Sequence, residues 1–336
     1  AFVAGRRGIA RWPDAHRLGA DDVDREQHRF RSGHDVWVVQ TYLLLREQLA
    51  ALGYEVALRA GFRPGAITVA HWDSVNSLFW AARRARVIGV RADRPPLYGC
   101  EVVVLQNDLE PDDRAHRFIP LWQQPGLLPR DSARGSRIET LAYFGRVEAL
   151  PAWLISDAFR QKLASLGVSL RVSERAWHDY RDVDLVLSAR VESALMLRFK
   201  PATKLYNAWL AAVPALLSDE PAFRALHETD LDYLPIEGPE DVIAAVRMLK
   251  QNPRVYSAMV ARGTQRGEMF TRQAIGKRWL ALIAELAQRQ APPASMASHA
   301  LAMIRQKIEA KAFRRRHARE LLRAQLAGQT ILRAQN

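Results

Sequence analysis

The sequence has a single cysteine and no long apolar run. Cys100 stands alone among 336 residues, so an internal disulfide is excluded, and its surroundings, "YGCEVVVLQ", predict a buried residue in a strand. The longest apolar runs, such as "EVVVLQ" and "AAVPALL", fall far short of the roughly 20 residues that cross a bilayer. The first residues lack the apolar core of a signal peptide, so a cytoplasmic protein is expected.

Acidic residues are too few to balance the basic ones. The chain has 49 Lys and Arg against 36 Asp and Glu, a net charge of +13, which favours anionic partners such as phosphates, nucleic acid or an acidic membrane face. Residues 291–336 contain nine Lys or Arg and two Glu and so carry about half of the excess. With 49% hydrophobic residues, a chain of this length is expected to bury the cores of two domains.

The first half of the chain shows alternating strand and helix patterns. Residues 1–33 have no clear period and predict an N-terminal arm. "DVWVVQ" is typical of a buried strand, "TYLLLREQLAALG" of an amphipathic helix and "YEVALRA" of a second strand, which together predict a βαβ unit. Further strands are predicted at "AITVAH", "RVIGVRAD", "YGCEVVVLQN" and "RFIPLW". The stretch "QQPGLLPRDSARGSR" then indicates a linker.

The alternation starts again after this linker, with strands predicted at "ETLAYFGR", "VSLRVSE", "DLVLSAR" and "VPALLSD" and long helices towards the end. We therefore predict an α/β protein with two tandem, doubly wound, Rossmann-like domains that face a cleft, followed by a C-terminal helical extension. The predicted segments are an arm at 1–33, an acceptor-binding domain at 34–135, a nucleotide-sugar-binding domain at 136–270, and helices with a basic tail at 271–336.

Basic residues gather where the second domain should bind a ligand. In open α/β sheets, ligands lie beyond the carboxyl ends of the strands. Lys200 and Lys204 flank a predicted helix start, where free N–H groups and the helix dipole attract phosphate, and Thr203 adds a hydroxyl. Arg146, after the strand "TLAYF", is suited to the same anion. The alternative is that both lysines are surface charges.

An acidic pair follows the next predicted strand. Asp219 and Glu220 come directly after "VPALLS", where a carboxylate can accept hydrogen bonds from the hydroxyls of a sugar or a ribose. The alternative is a solvated helix end.

The order of "AYFGR", "KPATKLYNAWLAAVPALLSDEPAFRAL" and "PEDVIAAV" resembles the C-terminal donor-binding domain of GT-B fold glycosyltransferases over about residues 139–252. The resemblance implies a hexosyltransferase-type enzyme of polysaccharide biosynthesis, with a nucleoside diphosphate sugar as co-substrate and a glycan, lipid-linked or small acceptor. The implied donor-binding residues are Arg146, Lys200, Thr203, Lys204, Asn207, Asp219 and Glu220.

The resemblance has departures. Asn207 stands where the family usually has a glutamate, and Ala212 stands where it has a glycine. The glycine-rich loop that follows the first N-terminal strand in the family is absent, because "VVQTYLLL" follows His34 instead. These departures leave the donor nucleotide open.

The segment "AHWDSVNS" follows the third predicted strand and places His71 and Asp73 at the expected cleft edge as catalytic candidates. Asp73 can remove a proton from the acceptor hydroxyl if the reaction inverts the anomeric centre. The alternative is that Asp73 caps a helix that begins at Ser74. His34 and Asp35 are expected at the opposite end of the sheet.

No metal site and no cofactor are expected, because the histidines lack ligand spacing and no convincing DxD pair occurs. A nicotinamide enzyme is disfavoured because no G-x-G-x-x-G follows a first strand. Two alternatives remain: a GT-B nucleotide-sugar epimerase, and a non-enzymatic binder of anionic surfaces.

The tail has apolar residues near helical spacing among its basic ones: Leu301, Ile304, Ile308, Phe313, Leu321 and Leu322. Such a helix can pack on the protein, mediate oligomerisation or contact an anionic membrane, which would make the protein peripheral to the membrane. Nucleic acid is not expected as a partner.

Overall fold

The computed structural model describes residues 1–110, 112–290 and 295–335. The chain forms two compact units. Unit 1 comprises Ala1–Gly126, Phe199–Pro201 and Arg272–Arg315, and unit 2 comprises Leu127–Arg198, Ala202–Thr271 and Arg316–Asn336. The chain therefore leaves unit 2 twice and returns to it twice. The predicted boundaries after residues 135 and 270 describe contiguous domains and contain no such exchange.

Unit 1 is built on six parallel strands in the order β2-β1-β3-β4-β5-β6. The strands are β1 (Phe2–Val3), β2 (Leu58–Arg59), β3 (Ile67–His71), β4 (Arg86–Val90), β5 (Val102–Leu105) and β6 (His116–Phe118). The helices before residue 126 are α1 (Gly5–Arg11), α2 (Asp22–Arg25), α3 (Gln40–Ala51), α4 (Trp72–Ser77) and α5 (Phe79–Ala82).

The predicted N-terminal arm is part of unit 1. Phe2 pairs with Leu58 on one side and with Val69 on the other, so β1 lies inside the sheet. Gly5 follows this strand with a φ of 73°, a conformation that favours glycine, and it begins α1. The glycine after the first strand is therefore present, and the expectation that it is missing was wrong because the first strand lies in the segment predicted as an arm.

The strand predicted at "DVWVVQ" is helical. Asp35–Val39 form π-helical turns that continue into α3. The start is stabilised by a reciprocal cap, because Ser32 Oγ accepts from the N–H of Asp35 at 3.3 Å and an Asp35 carboxylate oxygen accepts from the N–H of Arg31 at 3.1 Å. Trp37, Val38 and Val39 are buried, and a short apolar run does not distinguish a buried helix from a strand.

Unit 2 contains five parallel strands in the order β11-β10-β9-β7-β8. They are β7 (Thr140–Phe144), β8 (Ser169–Ser173), β9 (Leu185–Ser188), β10 (Ala215–Leu217) and β11 (Leu234–Pro235). The helices of this part are α6 (Asp157–Ser165), α7 (Ala194–Leu197), α8 (Thr203–Leu210), α9 (Pro221–Arg224), α10 (Pro239–Gln251) and α11 (Pro253–Gly267). The helix predicted at "AWHDYRDV" is irregular chain.

Two long helices end the chain, α12 (Arg272–Gln288) and α13 (Met296–Gln335). Ile275, Trp279 and Leu282 of α12 belong to the core of unit 1, which explains why α12 is part of that unit. Residues 291–294, where the predicted basic tail begins, and residue 336 lie outside the described residues. Within the described part of the chain, no helix has both the length and the apolar character that crossing a bilayer requires.

The predicted fold class is confirmed in its elements, because two parallel α/β sheets are followed by C-terminal helices. In each unit the strands are parallel, so their carboxyl ends lie along one edge of the sheet. The residues after β3 and β4 in unit 1, and after β7, β9 and β10 in unit 2, are therefore the ones to inspect.

Candidate functional site

An ion pair lies at the carboxyl edge of the unit 2 sheet, and one of its carboxylate oxygens has no hydrogen-bond partner among the described residues. Arg190, two residues after β9, donates through Nε to Oε1 of Glu220 at 2.8 Å. Glu220 follows β10 and its side chain is 1% exposed. Its Oε2 is buried without a hydrogen-bond partner among the described residues, as is Oγ of Ser188 at the end of β9. Buried polar atoms normally have partners, so these two oxygens have capacity for further hydrogen bonds.

A lysine lies beside this pair. The ammonium of Lys204, in the first turn of α8, is 4.2 Å from the ring centroid of Tyr143 in β7. Burial raises the pKa of Tyr143, Arg190 lowers it, and Glu220 raises it. Tyr143 is therefore within electrostatic range of Lys204, Arg190 and Glu220 at this end of the sheet.

Gly145 keeps this edge open. A Cβ atom at Gly145 would lie 2.9 Å from Cε1 and 3.0 Å from the hydroxyl oxygen of Tyr143. Any larger residue would push the Tyr143 ring away, because those distances are shorter than carbon contacts allow. The backbone after β7 therefore passes directly over the tyrosine, and Arg146 follows as an exposed residue.

The structure distinguishes the two acids of the predicted pair. Glu220 is buried and bound to Arg190, whereas Asp219 is exposed and accepts from Arg224 at 2.5 and 2.6 Å. Glu220 therefore belongs to the edge just described, and Asp219 belongs to the start of α9.

The other predicted donor residues in unit 2 lie on α8. Thr203 is its first residue, and its hydroxyl lies 3.0 Å from that of Tyr206, so it is already hydrogen-bonded within the helix. Asn207 is buried in the second turn. Ala212, which follows α8, has a φ of 58°, the left-handed conformation that explains why glycine is usual at this position.

Lys200 is placed differently from Lys204. It belongs to unit 1, where Nζ donates to Asp93 at 2.9 Å, and its carbonyl accepts from Asn107 Nδ2 at 3.0 Å. Helix α8 begins at Thr203, between the two lysines as predicted, but Phe199–Pro201 belong to unit 1 and Lys200 is paired with Asp93 there.

A second polar cluster lies at the carboxyl end of β3 in unit 1. The rings of His34 and His71 have centroids 4.7 Å apart, and Nε2 of His34 lies 2.9 Å from Oγ of Ser74. Nδ1 of His71 is 3.3 Å from Oδ2 of Asp73. Asp73 also accepts two hydrogen bonds from Arg94, at 3.1 and 3.2 Å. We refer to these five residues as the histidine cluster.

The predicted capping role of Asp73 is wrong. Helix α4 begins at Trp72, and its N-cap is His71, whose Nδ1 accepts from the backbone N–H of Asp73 at 3.3 Å. The side chain of Asp73 is thus available to Arg94. Burial raises the pKa of Asp73, but the two hydrogen bonds and the positive charge of Arg94 outweigh it and hold that pKa well below its usual range.

His34 is neutral at physiological pH. Burial lowers its pKa to about 4, and the neighbouring His71 contributes in the same direction. The expectation that His34 lies at the opposite end of the sheet was wrong, because residues 35–39 form helical turns rather than the first strand. Gly33 permits the contact, since a Cβ there would lie 2.8 Å from Nε2 of His71.

His34, His71 and Asp73 also have ligand atoms within 4.8 Å of one another, which is close enough to hold a metal ion. Two imidazoles and a carboxylate form a common set for transition metals. The fit is poor, however, because both oxygens of Asp73 accept from Arg94, and the guanidinium places a positive charge beside them. A cation would have to displace Arg94.

Comparisons with known proteins find similarity in structure but not in sequence. No family model and no curated protein matches the sequence. Among solved structures, the sucrose-phosphate synthase of Thermosynechococcus elongatus is 11% identical with a TM-score of 0.51, over 74% of this chain and 77% of that one. The pneumococcal O-GlcNAc transferase GtfA, solved with UDP and GlcNAc, is 15% identical with a TM-score of 0.49, over 74% and 60%.

A third structure, that of Anabaena HepE with UDP and glucose, is 9% identical with a TM-score of 0.46, over 76% of this chain and 83% of that one. The chain therefore spans less than two thirds of GtfA but more of the other two. The likeness to the synthase agrees with the predicted GT-B type of α/β fold.

Proposed function

We propose that this chain is a glycosyltransferase that moves a sugar from a nucleoside diphosphate donor to a hydroxyl group of a glycan, lipid-linked or small acceptor. The observation that carries the proposal is the edge formed by Arg190, Lys204 and Glu220. It offers positive charge and an unsatisfied carboxylate oxygen at the carboxyl ends of parallel strands. A nucleoside diphosphate needs both, because its phosphates are anionic and its ribose presents hydroxyl donors.

Within this proposal, Lys204 and the exposed Arg146 bind the diphosphate, and the N–H groups at the start of α8 support it. Glu220 accepts from the ribose through Oε2 while Arg190 holds Oε1 in place. Lys200 has no part in this assignment, because Asp93 neutralises it in unit 1.

The chemistry asked of these residues is electrostatic. When the bond between the sugar and the diphosphate breaks, negative charge develops on the leaving phosphate oxygen. Fixed cations near that oxygen stabilise the transition state more than the ground state, which accelerates the reaction. Lys204 and Arg146 supply such charge without a metal ion, so we propose that catalysis is independent of metals.

The histidine cluster is proposed to serve the acceptor. If the reaction inverts the anomeric centre, a base must accept the proton of the attacking hydroxyl. Asp73 can do so only when Arg94 moves away from its carboxylate, because the paired form is a weak base. An alternative base within the cluster is Nε2 of His71, which requires the tautomer with the proton on Nδ1, donated to the Asp73 carboxylate in place of the contact with the Asp73 N–H.

A thermal-shift screen with UDP, GDP, CDP and ADP tests the donor site. A ligand at about 100 times its Kd stabilises the native state by about 2.7 kcal/mol, which raises the Tm by several degrees. At least one nucleotide should produce this shift in the wild-type chain and a much smaller one in Glu220→Ala. The absence of a shift with all four at millimolar concentration would contradict the proposal.

Turnover separates the transferase from an epimerase. The matching nucleotide sugar is incubated with and without candidate glycan, lipid-linked and small acceptors, and the released nucleoside diphosphate is measured. A transferase releases it in proportion to acceptor, whereas an epimerase yields a different nucleotide sugar without net release of nucleoside diphosphate, so the nucleotide sugars are also resolved by chromatography. Conversion that ignores the acceptor would therefore favour the epimerase.

A further inference from the structure

One side of α13 exposes a set of large aliphatic side chains. Leu301, Ile304 and Ile308 recur at spacings of three and four residues, so they lie on one face of the helix. They are 67%, 52% and 63% exposed. We refer to these three residues as the outer face. Single exposed leucines are ordinary, but three branched side chains aligned on one face indicate a contact surface.

The opposite side of the same segment is packed on unit 1. His299, Gln306 and Ala310 are buried, and His299 Nε2 lies 2.8 Å from the carbonyl oxygen of Phe79. The N–H of Tyr98 donates to Gln306 Oε1 at 2.8 Å. The helix is therefore fixed by one side, and the outer face points into solvent.

Basic residues run beside the outer face. Lys307, Lys311 and Arg314 are exposed and share the spacing of four and three residues. We refer to them as the basic row. With 3.6 residues per turn, this row is displaced from the outer face by roughly a quarter of a turn around the axis. A single surface can thus contact both sets, with aliphatic side chains at its centre and long cationic side chains along its margin.

We infer that this part of α13 docks the protein on an anionic membrane surface, with the outer face inserted among the lipid head groups and the basic row on their phosphates. Helices that lie in the plane of a membrane combine apolar insertion with attraction of Lys and Arg to anionic lipid. This inference does not rest on the proposed transferase activity.

Other partners fit the surface less well. Nucleic acid would pair with the basic row but leave the outer face in water. A second copy of the helix would meet Arg315, which lies seven residues after Ile308 on the same face, so like charges would enter the seam. A lipid surface satisfies both sets at once.

Vesicle co-sedimentation of the full-length chain tests the inference. The wild-type protein should sediment with vesicles of phosphatidylcholine mixed with phosphatidylserine and stay in solution with phosphatidylcholine alone. Leu301→Gln, Ile304→Gln and Ile308→Gln combined should reduce the bound fraction at least about tenfold, because apolar insertion is lost. All three positions are solvent-exposed, so the variant should keep its Tm.

A second variant removes the charge. Lys307→Gln, Lys311→Gln and Arg314→Gln combined should weaken binding to the anionic vesicles strongly, and high salt should do the same to the wild type. The control carries Leu52→Gln and Arg247→Gln, which change an exposed leucine in the turn after α3 and an exposed arginine on α10 and should leave sedimentation unchanged.

Three results would overturn the inference. The wild type would fail to sediment with anionic vesicles, the outer-face variant would sediment as well as the wild type, or the control would lose binding to the same extent. Binding that survives loss of the outer face but not of the basic row would identify a general polyanion site instead. Because none of these changes touches Arg190, Lys204 or Glu220, the nucleotide thermal shift should be the same in all variants.

Discussion

Arg94 holds both oxygens of Asp73, with Nε and a terminal nitrogen at 3.1 and 3.2 Å. The bidentate contact stabilises the ionised carboxylate and keeps the pKa of Asp73 well below its usual range. A carboxylate in this state binds a proton weakly. Arg94 therefore determines whether Asp73 acts as a base or as a fixed counterion.

We predict that Arg94→Gln moves the acid limb of the pH profile of kcat/KM to higher pH. Removing the guanidinium raises the pKa of Asp73, so a higher pH is needed to ionise it. The measurement is kcat/KM between pH 3 and 8 with an acceptor that supports turnover; the wild-type limb of Asp73 lies below this range, and the limb of Arg94→Gln should enter it. Asp73→Asn should lower kcat by about 100-fold or more, and combined with Arg94→Gln it should remove the new limb. An unchanged limb in Arg94→Gln would exclude Asp73 as the base.

The second prediction compares two neighbouring acids. Glu220→Gln should weaken nucleoside diphosphate binding about tenfold, since hydrogen bonds to a charged group contribute roughly 1.5 kcal/mol or more. Asp219→Asn should change it less than about twofold, because its exposed ion pair with Arg224 is worth little. Titration calorimetry with the nucleotide selected by thermal shift measures both. Equal losses in the two variants would contradict the assignment of Glu220.

A third prediction concerns metal ions. Transfer rates should be the same in EDTA and in millimolar Mg²⁺ or Mn²⁺, because Lys204 and Arg146 supply the positive charge for the leaving diphosphate. The control is a zinc chelator applied after purification, since His34, His71 and Asp73 have ligand atoms close enough for a transition metal. Loss of activity that returns on adding a metal would overturn the prediction.

The sequence located the edge of unit 2 well. Strands are predicted within a few residues of β7, β9 and β10, and the rule that ligands lie beyond strand ends directs attention to residues 188–192 and 218–220. It does not say that Arg190 and Glu220 turn inwards while Asp219 turns out. That choice depends on side-chain packing across two strands, which the local sequence does not encode.

Unit 1 was predicted less well, and the reason is specific. "DVWVVQ" has the composition of a buried strand, and short apolar runs are ambiguous between strand and helix. The signal that settles it is the Ser32 and Asp35 pair, spaced as in a capping box, which predicts a helix start. A helix start at this pair places His34 near the beginning of a helix. The first strand must then lie upstream in the sequence, where β1 is found.

Lys200 illustrates a limit of another kind. Its neighbours in sequence form one continuous pattern, "KPATKLYNAW", yet Phe199–Pro201 belong to unit 1 and Thr203 begins a helix of unit 2. The partner that fixes Lys200 is Asp93, which lies 107 residues away. No local pattern contains that information.

The fourth prediction is a pH dependence of stability that comes from His34. Its pKa is about 4 in the folded protein and 6.5 in an unfolded chain, so between these values the unfolded state binds more protons. The contribution of His34 to the free energy of unfolding therefore rises as pH increases from about 4 to 6.5 and stays constant above that pH. The gain is about 1 to 2 kcal/mol once solvent screening at this partly buried site is allowed for.

Thermal unfolding at pH 4.5, 5.5 and 7 measures the effect of His34. His34→Asn should flatten the rise, whereas the control His16→Asn, at an exposed position, should keep it. Asp73 does not interfere in this window, since its lowered pKa adds stability that is lost only at pH values below its ordinary pKa of 3.8. A slope that is identical in His34→Asn and wild type would show that His34 is not buried as described.

The last prediction concerns the residue that departs from the glycine usual in GT-B donor domains. Ala212 has a φ of 58°, a left-handed conformation that costs an L-residue with a Cβ about 1 to 2 kcal/mol. Glycine removes this strain but loses more backbone entropy on folding, so Ala212→Gly should stabilise the protein by about 0.5 to 1 kcal/mol. The neighbouring Ala211 has a φ of −89°, where alanine is unstrained, so Ala211→Gly should destabilise by a similar amount. Opposite shifts in Tm for these adjacent substitutions would establish that backbone strain is stored between α8 and β10, and a lower Tm for both would refute it.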